Sequence, residues 1–356
     1  MENILDKPLL GKEDILSLLM CDEREQKKLF ARAAEIKEKY VGNIVYFRGL
    51  IEYSNICSKN CLYCGVRSGN QHVKRYQMTD DEVFEACDYA FRNGFASLVI
   101  QSGERHDVSF VRKISDLLKE IKDRYQGRLR ITLSCGEQTE DSYRQWLESG
   151  AQRYLLRIET SNPLLYSRLH PDDGNHVFRE RVEALDTLKK LGYQAGTGVM
   201  IGLPFQTIDQ LANDLLFFRE KDFPMFGMGP YIEHAETPLY QYKDLLWTEK
   251  ERFTLSLKMV AVLRLMMKDV NIAATTAMQT LDPLGREKAI MAGANVIMPN
   301  LTHLKYRRDY QLYEGKPCLD EEADQCKVCL ESRIRLSGNR IGYGEWGDSL
   351  HYQKPT

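Results

Sequence analysis

The chain has 356 residues, 43% of them hydrophobic, enough to bury a large core. Its 49 basic and 51 acidic residues leave a formal charge of −2, which gives no electrostatic case for a nucleic-acid partner or a membrane surface. Nine cysteines, in two tight groups plus strays, fit metal binding in a reducing compartment better than a disulfide scaffold. The N-terminal stretch MENILDKPLLGKEDILSLL is charged throughout and has the character of neither a signal peptide nor a membrane span, so a cytoplasmic protein is expected.

In chain order, residues 1–42 read as an N-terminal helical cap of one or two helices. Eight strands are then expected at 44–54, 97–103, 129–136, 153–160, 194–202, 225–233, 272–278 and 295–299. Amphipathic helices fall between them at 79–93, 108–124, 140–149, 178–191, 207–220, 248–268 and 284–291. Alternation of this kind predicts an α/β fold, a complete (β/α)8 TIM-type barrel over residues 43–303. Residues 304–356 form a short C-terminal extension whose glycine-rich tail carries no usable motif.

Cys57, Cys61 and Cys64 lie in the string CSKNCLYC, directly after the first strand. Three thiolates on one loop can hold three irons of a [4Fe–4S] cube and leave the fourth iron open for a reactant. A zinc knuckle needs a fourth ligand, and His72 is eight residues on. In a parallel barrel, reactive groups come from the C-terminal strand ends. Here those ends are polar: Gln101 to Glu104, Ser134 to Glu137, Arg157 to Thr160, Thr275 and Thr276, and Asn300 with Thr302.

The spacing and the aromatic Tyr63 before the third cysteine resemble the radical S-adenosylmethionine (SAM) superfamily. Segment by segment, CSKNCLYCG, VIQSGE, TLSCGE, RYLLRIETSNP, GTGVMIGLPFQT, GMGPYIEHAETPL, ATTAM and ANVIMPN resemble the HydE family, maturases of [FeFe]-hydrogenase, nearly end to end. The resemblance implies a [4Fe–4S] cluster on Cys57, Cys61 and Cys64, with SAM chelated to the open iron. It implies that Tyr63, Ser102, Gly103, Glu104, Arg157, Glu159, Arg181, Ile201 and Leu203 surround SAM. Cys318, Cys326 and Cys329 resemble the accessory iron–sulfur site of some HydE proteins.

The implied substrate is a small organometallic iron complex with CO, cyanide and cysteine, delivered by a partner maturase. Thr132, Ser134, Arg153, Thr275, Thr276, Met225, Met298 and Tyr310 are expected around it, with Tyr306 and Arg307 at the mouth. An electron donor such as ferredoxin or flavodoxin is implied as well. Cys135 stands where an aliphatic residue is expected and reads first as a buried, inert thiol. Two other functions stay open: a biotin synthase-like or methylornithine synthase-like enzyme on a small organic substrate, and an iron–sulfur scaffold or carrier.

Overall fold

The computed structural model describes residues 2–320 and 323–352; the side chains of 324–326 are outside the description. Among these residues twelve strands run in chain order: β1 Ile44–Phe47, β2 Gly49–Ser54, β3 Ser97–Ser102, β4 Arg130–Ser134, β5 Ala151–Leu155, β6 Gln194–Thr197, β7 Met200–Ile201, β8 Met225–Phe226, β9 Gly229–Pro230, β10 Asn271–Ile272, β11 Val296–Ile297 and β12 Arg340–Ile341. Seven of them form one curled parallel sheet in the order β10-β8-β6-β5-β4-β3-β2. At its edges lies the segment around β11, bridging Ala273 to Val296 on one side and Leu50 to Asn300 on the other. The Tyr46, Arg48 and Leu50 N–H groups donate to the carbonyls of Asn295, Ile297 and Pro299.

Most crossover helices start where the sequence offers a cap; Phe178–Lys190 and Gly285–Met291, which follow Val177 and Leu284, do not. Thr79 and Glu82, Thr207 and Gln210, and Thr248 and Glu251 form reciprocal capping boxes at the starts of Asp80–Arg92, Ile208–Lys221 and Glu249–Met266. Helix Val108–Arg124 begins after Asp107 and buries Phe110, Val111, Ile114, Leu117, Leu118 and Ile121, the one-sided spacing of an amphipathic helix. These apolar faces pack on the outer side of the sheet and make one continuous core.

Several expectations need correction. The first strand is broken at Arg48, which lies between β1 and β2. The stretch 272–278 stops being a strand at Ile272, and Thr276–Leu281 is a helix with Thr275 at its N-cap position but no side-chain cap hydrogen bond. β-branched threonines made that run look extended, but pairing with β8 ends at Ile272. The N-terminal helices Lys12–Met20 and Glu23–Val41 lie against the outer helices Ile208–Lys221 and Glu249–Met266, not across a barrel end. There the Lys258 ammonium donates to the carbonyls of Leu19 and Cys21.

What fills the N-terminal end of the sheet is the tail at 346–352. Trp346 offers its carbonyl to Ser97 and Arg153, Gly347 to Arg48 and Asn271, and the Ser349 N–H donates to Gln194. All of these partners sit at or near the first residues of their strands, so the apparently featureless tail is a polar plug.

Candidate active site

The cluster loop runs off β2 and is stitched to three other segments. Leu62 N–H donates to Leu169 O, Leu239 N–H to Leu62 O, and Gly65 N–H to Leu312 O. The end of β3 presses directly on it: Ser58 N–H donates to Glu104 O at 2.8 Å, and Glu104 N–H points at Cys57 Sγ at 3.3 Å. This approach requires Gly103, where a Cβ would lie 2.4 Å from Ile56 O. Cys57, Cys61 and Cys64 are in no disulfide. Burial pushes all three thiols up, Cys64 to about 12. Iron must therefore displace their protons to bind.

Among the described residues no three His, Cys, Asp or Glu side chains converge on a single ion. Behind the loop, Tyr63 packs against a small apolar cluster containing Leu165, Leu169, Met200, Leu203, Tyr231 and Leu239. Leu203 belongs to this cluster beside Tyr63. Ile201 does not: it is fully buried in the main core, because strand alternation turns Met200 toward Tyr63 and Ile201 away.

Facing the loop, Glu159 adopts a left-handed backbone with φ +64°, a strained conformation for a residue with a Cβ. Its carboxylate is 3.0 Å from the Arg157 guanidinium. The pair is out of hydrogen-bond alignment, and Glu159 Oε2 with Arg157 Nε and Nη2 has no hydrogen-bond partner among the described residues. Burial raises the Glu159 pKa, with Arg157 and Arg181 opposing the shift. An ion pair whose members make no aligned hydrogen bond offers groups of both signs to a zwitterionic ligand such as an amino acid moiety.

Arg181 is buried, donates through Nε to Glu137 and through Nη1 to Arg157 O at 2.7 Å. Burial opposes the charge of Lys59, yet Glu104 and Glu137 outweigh it and hold its pKa above the ordinary lysine value. Glu104 is not free for a ligand's ammonium. Its carboxylate meets Lys59 at 3.3 Å, His106 at 3.0 Å and the Glu137 N–H at 2.9 Å. The Ser102 hydroxyl donates to Gly103 O.

Of the residues expected around the substrate, Thr132, Met225 and Met298 line a cavity of about 30 Å³ inside the sheet, together with Arg48, Val99 and Leu155. The Thr132 hydroxyl has no hydrogen-bond partner there. Ser134 and Thr276 are half-buried, and the Thr275 hydroxyl donates to Met228 O. Tyr310 is buried edge-on to Tyr76, which stacks on Tyr306; Arg307 is buried and donates to Thr302 O.

Arg153 is a correction. It is fully buried toward the plugged end, and its guanidinium is consumed by Asp348, Ser97 Oγ and Trp346 O. Cys135 belongs to the outer apolar core beside Leu133, since alternation turns Thr132 and Ser134 inward and the thiol outward. Sequence reasoning placed Glu137 only among the polar strand ends and missed Lys59, Glu52 and Lys316. The last two make a buried ion pair, with Asn300 donating to the same carboxylate. A lysine between two cluster cysteines was the available signal for the first.

In the C-terminal group, Cys318 is half-buried with φ +63° and lies 4.0 Å from Arg286. Cys329 is exposed on helix Ala323–Leu336, and the Cys326 side chain lies outside the described residues.

The radical SAM superfamily profile matches residues 51–218. The [FeFe] hydrogenase maturase subunit HydE of Thermotoga maritima is 48% identical over 93% of this chain and 91% of its own. The chain belongs to the HydE family. Among solved structures, methylornithine synthase superposes with a TM-score of 0.81 at 24% identity, covering 96% of this chain and 97% of that one. HydG, a maturase of the [FeFe]-hydrogenase, superposes at 0.78 and 21%, covering 96% and 75%. These two show the shared fold.

As a HydE-family protein the chain is a radical SAM enzyme whose cofactors are a [4Fe–4S] cluster and SAM. The three unbridged thiols and the orphaned Arg157 and Glu159 groups fit both. Held by Cys57, Cys61 and Cys64, the cluster would supply the electron for reductive cleavage of SAM. Among the described residues no helix is long and apolar enough to cross a membrane.

Proposed function

We propose that this HydE-family enzyme directs its radical at a small iron complex carrying CO, cyanide and cysteine, supplied by a partner maturase during assembly of the [FeFe]-hydrogenase H-cluster. What carries the reading is the 48% identity across 93% of the chain, spanning both the cluster loop and every strand end at the mouth. In this reading Cys57, Cys61 and Cys64 hold the cluster. Glu159 receives SAM's ammonium, while Arg157 and Arg181 face its carboxylate, a charge-matched arrangement. The carbonyl end of Ser102–Glu104 lies alongside, and Tyr63, Met200 and Leu203 supply apolar contact.

Thr132, Ser134, Thr275, Thr276 and Tyr310 are the polar lining proposed for the substrate, with Met225 and Met298 as its apolar floor. Arg153 is withdrawn from that role because its donors are taken. Residues 43–303 then act as a closed eight-stranded barrel carrying the chemistry, supported by the hydrogen bonds from 46–50 to 295–299. Residues 1–42 buttress it and 304–356 plug it and carry a second cysteine site. A ferredoxin or flavodoxin in the cytoplasm is the proposed electron source.

The test is anaerobic reconstitution with SAM and a reductant, scored for 5'-deoxyadenosine with and without the partner maturase's iron product. The reading predicts that the product is consumed and hydrogenase maturation restored. Turnover of a small amino acid in its place would favour an activity of the methylornithine synthase kind, the fold being shared.

A further inference from the structure

Lys59 sits inside the cluster loop, between Cys57 and Cys61, yet only 7% of it is exposed. Its ammonium lies 2.7 Å from Glu137 Oε2 and 3.3 Å from Glu104 Oε1, and it donates to the Asn175 carbonyl as well. The other oxygen of Glu137 accepts from Arg181 Nε, and Arg181 in turn donates to Arg157 O at the mouth. Three side chains thus link the loop that carries the thiolates to the guanidinium expected at SAM.

The assembly is built to close tolerance. Glu137 N–H fixes Glu104 at 2.9 Å, and Gly136 leaves room for that carboxylate, since a Cβ there would lie 2.1 Å from Glu104 Oε2. Two buried carboxylates share one ammonium, one guanidinium and the His106 ring, so losing Lys59 removes the cation that both carboxylates meet. A lysine needed only for solubility would project into water, with its charge far from two buried carboxylates.

We propose that Lys59 is a positioning residue: acting through Glu137, it sets the place of Arg181 relative to the cluster loop and so the alignment of SAM on the cluster. The proposal rests on the assignment of Arg181 to SAM. A shift of about 1 Å in such an arrangement can cost about 100-fold in rate.

Lys59→Met leaves every thiolate untouched and should reconstitute with near wild-type iron. Its SAM dissociation constant should rise about 10-fold or more, and the change SAM induces in the paramagnetic resonance of the reduced cluster should weaken. Glu137→Gln should show the same loss, and the double variant should be no worse than either single, as expected of residues in one chain of contacts. Wild-type SAM affinity in Lys59→Met, or fully additive losses, would overturn the proposal. If Lys59→Met fails to hold iron, Glu137→Gln carries the test alone, and wild-type affinity there overturns it. Arg181→Met separates the premises. Unchanged affinity in Arg181→Met places SAM elsewhere, whereas loss there with none in Lys59→Met sinks the positioning role only.

Discussion

Asp214 shows how far a single side chain can bend the pH profile of this protein. It is fully buried; Oδ1 accepts from the Ser161 N–H and hydroxyl, both at 2.6 Å, and Oδ2 has no hydrogen-bond partner among the described residues. Burial raises its pKa from 3.8 to about 7, with Ser161 opposing the shift. The folded state therefore holds this proton more tightly than the unfolded chain. That contribution is fully present below about pH 4 and is lost as pH rises through 7. Asp214→Asn keeps the acceptor for Ser161 and removes the charge. It should stabilise the protein at pH 8 by about 2–4 kcal/mol and much less at pH 5, read by denaturant unfolding at both. At this scale the spacing of Cys57, Cys61 and Cys64 was legible in the sequence, and the structure keeps them unbridged on one loop. Sequence was a poor guide for Arg153, because nothing local reveals that a residue 195 positions away takes its donors.

Among elements, the seven helices expected between strands were legible nearly to the residue, since helix caps and one-sided apolar spacing are local signals, whereas Pro163–Leu169, Thr276–Leu281 and Ala323–Leu336 were not foreseen. Strand ends were not: the runs 194–202 and 225–233 each break into two short pieces around glycines, where pairing is decided by the neighbouring strand. The tail is the clearest case of function without a motif. Asp348→Asn should leave the buried Arg153 guanidinium without its carboxylate and cost about 3–5 kcal/mol in unfolding free energy. Adding Arg153→Met should recover much of that loss, and an Asp348→Asn protein as stable as wild type would show the plug to be incidental. The C-terminal cysteines lie far along the chain from the cluster loop. Cys318→Ala with Cys326→Ala should lower iron content while SAM cleavage stays largely intact, checked by iron assay and 5'-deoxyadenosine yield.

At the scale of the whole molecule, one parallel sheet gathers the cluster loop, the ends of β3 and β4 and the Arg157–Glu159 turn at a single mouth, while residues 346–352 seal the opposite end. The alternation of strands and helices foretold the sheet. It could not foretell the plug or the outward placement of the N-terminal helices, which depend on contacts more than 200 residues apart. The central claim is that Cys57, Cys61 and Cys64 hold a SAM-cleaving cluster, and it is tested most directly by 5'-deoxyadenosine formation in anaerobically reconstituted wild type and Cys61→Ser protein under a chemical reductant. The account predicts steady product from wild type and none above background from Cys61→Ser, because the cube loses an anchoring thiolate. Comparable product from both proteins would contradict it.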